Sequence, residues 1–156
     1  MGDEVKTIKK NELKHLLYTR YPHAEIVLAD REYAILDESW VEKQAYKGFL
    51  AWVSIFGFKY KIQNSLWKKN WDCDDMSTSF KVYLRFLHAS FKNVENETDA
   101  ESVAVGSIFY KNSPTSGHAI NMLIDSKEEV TFFEPKHGGY VSLSEAEENN
   151  IWYINF

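Results

Sequence analysis

The chain's single cysteine, Cys73, lies in the run Trp71-Asp72-Cys73-Asp74-Asp75, at the start of a stretch with helical periodicity. Further on, Gly117-His118 opens one apolar run and Glu134-Pro135 closes another. A thiol at a helix N-terminus, then an imidazole and a carboxylate on neighbouring strands, supply a nucleophile, its base and the acid that orients the base. A free thiol, with a pKa of about 8.5, is mostly protonated at neutral pH, and those three features raise its thiolate share. The acids flanking Cys73 act the other way, through like-charge repulsion. Two arrangements remove the conflict. Either the carboxylates point into solvent as a solvated helix start, or a cation such as Ca2+ sits on an Asp-Asp pair and reverses the local pKa logic.

His118 shares its alternation with Ile120, Met122 and Ile124, so a core histidine is the plain alternative to a base. Asn121 falls on the opposite parity and is not expected on the His118 face. His137, in a Gly-rich turn after Glu134, is the competing base, while His15, His23 and His88 read as surface residues. Glu134 ends the strand-like Val130-Thr131-Phe132-Phe133, where Pro135 removes a backbone donor and stops the ladder. The oxyanion donor beside the Cys73 N–H is open among the amides of Gln63, Asn64 and Asn70, with Gln63 and Asn64 preferred. Trp67 and Trp71, with Trp52, Phe56, Phe58 and Tyr60, read as core and site wall.

The chain has 156 residues, 44% apolar and 26% charged, the profile of one globular domain over 1–156. One cysteine excludes an intramolecular disulfide and any Cys-rich zinc site. No leader-like apolar segment stands at the N-terminus and no run approaches a membrane span, so a cytoplasmic protein, or a secreted domain stripped of its leader, is expected. Charge is uneven: residues 1–70 carry 12 Lys+Arg against 9 Asp+Glu, and residues 71–156 carry 6 against 14. Lys59, Lys61, Lys68 and Lys69 interleave with aromatics in the manner of a single-strand binder. The acidic second half opposes nucleic acid, whose affinity comes from neutralised phosphates.

The elements that must hold these residues follow from periodicity. Lys9 to Tyr18 reads as a helix ended by Tyr21-Pro22. Ile26-Val27-Leu28 and Tyr33-Ala34-Ile35-Leu36 read as short strands, and Val41 to Phe58 is ambiguous between helix and strand. Met76, Phe80, Tyr83, Leu84, Leu87 and Phe91 line one face of a helix capped by Asp72. Val103 to Tyr110, His118 to Ile124 and Val130 to Phe133 read as strands, followed by a short Ser-capped helix near Leu143–Glu147 and a strand from Ile151. The expected plan is α+β, with helices packed on an antiparallel sheet and Cys73 at a helix N-terminus.

With those pieces in order, residues 64–156 resemble the C-terminal domain of the fairy-ring mushroom agglutinin family. The likeness rests on Trp71, Cys73, Asp74, Asp75, Gly117, His118, Ala119, Asn121, Glu134 and Pro135. It implies a papain-like fold and a calcium-activated cysteine protease, with Cys73 as nucleophile, His118 as base, Glu134 as orienting acid and Asp74 and Asp75 as calcium ligands. A homodimer is implied as well. The sugar-binding trefoil joined to that domain elsewhere has no counterpart here, so sugar binding is not implied. The function expected is therefore a cysteine hydrolase cleaving a peptide or protein substrate through a thioester. The alternatives are acyl transfer by the same constellation, a catalytically silent papain-like scaffold that binds a protein or ligand, and a metalloenzyme using Asp74, Asp75, His118 and Glu134.

Overall fold

The computed structural model describes residues 5–60, 71–95 and 100–156. In chain order its elements are β1 (Thr7–Lys9), α1 (Lys10–Arg20), β2 (Glu25–Val27), β3 (Glu32–Ala34), α2 (Glu38–Trp40), a π-helical turn (Val41–Ala45) and α3 (Tyr46–Tyr60). There follow α4 (Cys73–Glu95), β4 (Ser102–Val103), β5 (Val105–Ser113), β6 (Ser116–Ile124), β7 (Val130–Glu134), β8 (Gly139–Val141), α5 (Glu145–Asn149) and β9 (Ile151–Asn155). The architecture is α+β and papain-like: helices pack on a sheet, and the thiol stands at the head of α4.

Local chemistry accounts for most boundaries. At the start of α1 the Lys9 N–H donates to Glu12 Oε2 at 2.9 Å, and the helix stops at Tyr21, just before Pro22. The ambiguous Val41–Phe58 stretch is helical, because Val41, Ala45, Phe49 and Val53 recur every fourth residue and all are buried. Met76, Phe80, Tyr83 and Leu84 form the expected buried stripe of α4. Phe91 lies outside the residues whose side chains are described. At α5, Ser144 Oγ accepts from the Glu147 N–H while Glu147 Oε2 accepts from the Ser144 N–H, a reciprocal cap.

The large sheet has the order β2-β9-β5-β6-β7-β8, and a smaller one the order β1-β3-β4. Both are mixed where an antiparallel sheet was expected: β2 runs parallel to β9, and β3 parallel to β4. Turns force antiparallel pairing only between strands that follow each other directly. Distant segments such as Glu25–Val27 and Ile151–Asn155 are free to arrive in either sense. The single strand expected over Val103–Tyr110 is broken at Ala104, whose N–H donates to Ala34 O at 2.7 Å while its carbonyl accepts from the Ile124 N–H at 3.1 Å. That residue stitches the two sheets together.

Two cores lie on opposite faces of the large sheet. One gathers Leu13 and Leu17 of α1 with Ile108, Ile120, Met122 and Ile154. The other packs Phe49 and Val53 of α3 and Phe80 and Leu84 of α4 on Val105, Leu123 and Phe133. Phe80 stacks on Phe133 with ring centroids 5.0 Å apart, which holds α4 against β7 beside the strand end that carries Glu134.

Candidate functional site

Cys73 is the first residue of α4, and the first helical bond runs from the Met76 N–H to Asp72 O at 3.0 Å. Asp75 Oδ2 reaches back to the Asp72 N–H at 3.3 Å, as acids near a helix start do. Asp72 and Asp74 instead meet each other. The neighbouring Asp74 carboxyl, ahead of partial burial and the charges of Asp74 and Asp75, raises the Asp72 pKa. Together Asp72, Cys73 and Asp74 place one donor atom each within 4.8 Å of one another.

The Cys73 thiol sits half-buried at the centre of that cluster. Burial is the first cause of its raised pKa; the backbone N–H of Ala119 opposes the shift, and the charges of Asp72 and Asp74 reinforce it. Like-charge repulsion was the expected cause, and it is present, but desolvation comes ahead of it.

On β6 and β7 the second half of the site is well formed. His118 Nε2 stands 2.6 Å from Glu134 Oε2. The other oxygen, Oε1, accepts from the Lys136 N–H at 2.9 Å. Glu134 is 7% exposed. Burial pushes its pKa up, but the His118 bond, the Lys136 N–H and the nearby charges of His118 and His137 together hold it below the usual carboxylate range. His137, the competing base, is a turn residue whose N–H donates to Glu134 O at 3.2 Å.

Among the described residues no hydrogen bond joins the Cys73 thiol to the His118 ring. His118 alternates with Ile120 and Met122, which belong to the α1 side of the sheet. Asn121 faces α4, where its Nδ2 donates to Ser77 O at 2.9 Å. Asn121 therefore lies off the His118 face, as its parity required.

Gln63, Asn64, Asn70 and Trp67 lie outside the described residues. Trp71 is half-buried beside the cluster, and its indole Nε1 is buried without a partner among the described residues. Two contributors were not anticipated. Tyr110 sets its ring edge-on to His118, centroids 5.8 Å apart, and Tyr46 Oη donates to Pro135 O at 2.7 Å. Burial, followed by the charges of Glu147, Glu134 and Cys73, raises the Tyr110 hydroxyl to about 12. The β5–β6 register that pairs Tyr110 with His118 was the signal that could have found it.

The donor set suits a hard cation through its oxygens alone. Asp72 Oδ1 is buried with no hydrogen-bond partner among the described residues, and the Asp74 carboxylate is beside it. The Cys73 sulfur is a soft donor that calcium does not favour. The pair brought together is thus Asp72 with Asp74, whereas Asp75 is engaged by the Asp72 N–H.

No protein-family model matches the sequence, and no curated protein matches it. Solved structures do match. One is a complex of PSL1a with E64, at TM-score 0.69 and 19% identity over 96% of this chain. Another is a Polyporus squamosus lectin bound to the human-type influenza-binding epitope Neu5Aca2-6Galb1-4GlcNAc, at TM-score 0.68 and 19% identity over 96% of this chain. This chain covers 51% and 49% of those two chains, so it spans about half their length. At this identity the likeness is one of fold. It supports the papain-like architecture and the kinship of fold with fungal lectins.

The hydrolase expectation is corrected on these findings. The Cys-His-Glu triad does not assemble among the described residues, since the thiol belongs to an acidic cluster and only His118 and Glu134 pair. A protein of the same fold is a lectin bound to a sugar epitope. The protease and thiol-hydrolase description falls with the triad. So does the expected peptide or protein substrate, because the partners in the matched structures are that epitope and E64. No described helix is long and apolar enough to cross a membrane.

Proposed function

We propose that this chain is a catalytically silent papain-like scaffold acting as a ligand-binding module. The observation that carries it is the placing of Cys73 within the Asp72–Asp74 cluster, without a hydrogen bond to the His118 ring among the described residues. A thiol with no hydrogen-bonded base is not activated, and its burial and the neighbouring carboxylates oppose its ionisation. The His118–Glu134 pair then serves to position the β6 and β7 ends. One fold neighbour supports a binding role, since it is a lectin bound to a sugar epitope.

Calcium is a ligand of the same module. Asp72 and Asp74 would hold it through carboxylate oxygens, and the bound ion would supply the positive charge that relieves their mutual repulsion. What favours this is the unpartnered Asp72 Oδ1 together with the raised Asp72 pKa.

Iodoacetamide labelling of Cys73 at neutral pH, with calcium and then with chelator, tests the silent scaffold. Labelling is expected to be slow in both conditions. Fast, calcium-dependent labelling that His118→Ala abolishes would overturn the silent scaffold in favour of an activated nucleophile. In a calorimetric calcium titration, heat that Asp72→Asn removes is expected; no heat, or heat unchanged in the variant, removes the metal role.

A further inference from the structure

Farther along α4 from Cys73, the contact between helix and sheet contains a polar gap. Where a helix packs on a sheet, the shared face is normally apolar. Between α4 and strands β5 and β9 it instead presents Lys81, Ser107 and Asn155, around a cavity of about 970 Å³. Small-ligand pockets are of this size. Ser102 and Ser107 line it at 2% and 4% exposure, and neither hydroxyl has a hydrogen-bond partner among the described residues. Buried hydroxyls left unpaired carry a standing cost that a ligand removes.

The charge in the cavity is as specific. Lys81 is 8% exposed, and its Nζ donates to Asn155 O at 2.8 Å and Asn155 Oδ1 at 3.0 Å, both uncharged acceptors. An ammonium has three donors, so one N–H is unspent. Lys81 makes no ion pair among the described residues, whereas the other lining charges are paired: Arg85 with Asp30 at 2.7 Å, and Glu101 with Arg31. His88 is bonded to the Ala100 carbonyl. The lining therefore holds one uncompensated positive charge, enough for a monoanion, and the Glu101 wall disfavours a dianion. Phe86, Phe109 and Tyr153 supply apolar surface around it.

We propose that this cavity is a ligand site for a small monocarboxylate with an apolar body. Lys81, Ser102 and Ser107 hold the carboxylate, and Phe86, Phe109 and Tyr153 cover the body. Burial, ahead of the charge of Arg85, lowers the Lys81 pKa to about 8 even with Asp30 nearby, and an anion beside the ammonium would reverse that shift.

Octanoate titrated into the full chain tests the site, with n-octanol as the uncharged match and inorganic phosphate as the apolar-free anion. The readouts are amide shifts of Ser102 and Ser107 by two-dimensional NMR and a calorimetric Kd. Octanoate is expected to shift both amides and to bind about tenfold tighter than octanol, a difference that Lys81→Met erases. Ser107→Ala, which removes an unpartnered hydroxyl, should fold as the parent does and weaken octanoate about threefold. If Lys81→Met fails to fold, Ser107→Ala and the octanol comparison decide. Absent amide shifts, equal binding of octanol and octanoate, or phosphate displacing octanoate would each overturn the site.

Discussion

Glu134 shows how one side chain is set by its surroundings. It is buried, so its charge is costly, and it keeps that charge because His118 Nε2 and the Lys136 N–H both donate to it. Its folded pKa lies below the unfolded value. A depressed carboxyl contributes stability that is present above its unfolded pKa, about 4.3, and is lost as pH falls through the folded value. Glu134→Gln should therefore cost about 1.5–3 kcal/mol at pH 7, and the gap from the parent should close as pH drops below about 4. Urea unfolding at pH 7 and at acid pH measures it. A constant gap across that range would mean that packing, not charge, holds Glu134.

The hairpins and turns at the ends of β6, β7 and β8 position the site, and one turn has little tolerance. Gly138 has φ +74°, and a Cβ added there would lie 1.9 Å from Tyr46 Cε1. The same Tyr46 donates to Pro135 O and packs edge-on against Phe80 and Phe133. Gly138→Ala must therefore both strain the backbone and displace Tyr46 from the helix–strand contact, for a loss of about 1–3 kcal/mol or more. Thermal unfolding gives the magnitude, and loss of the Tyr46–Phe80 ring-current shifts by NMR would locate the damage. An unchanged midpoint would show that this turn moves freely.

The whole molecule's response to alkali carries a second signature of the α4 cavity. Lys81 has a folded pKa of about 8, with burial as the leading cause. The unfolded chain, with lysine near 10.4, binds the extra proton between those values, so stability from this group rises with pH across that window. The groups around it are Arg85 and His88 on α4, Asp30, Glu101 and Tyr153. Buried tyrosines set the upper limit: Tyr21 and Tyr140, raised chiefly by burial, stay protonated in the fold and cost stability once unfolded tyrosine ionises near 10. The parent should gain stability from pH 7.5 to 9.5, and Lys81→Met should gain none. Denaturant titrations at both pH values check this; an equal gain in both proteins would assign it elsewhere.

Period and spacing were enough to read the α+β class, the long helix beginning at Cys73, the Ser144 cap and the three strands around His118 and Glu134, because those features are local. The pairing of His118 with Glu134 was also legible, since a short antiparallel connection leaves few registers. Three things depended on tertiary placement. Asp72 rather than Asp75 meets Asp74, because the helix start spends Asp75 on a backbone N–H. Among the described residues the thiol and the imidazole share no hydrogen bond, and how the head of α4 sits against β6 is encoded in no local pattern. The Lys81 cavity exists because three elements distant in sequence bring polar residues to one place, and sequence spacing carries no trace of such a meeting.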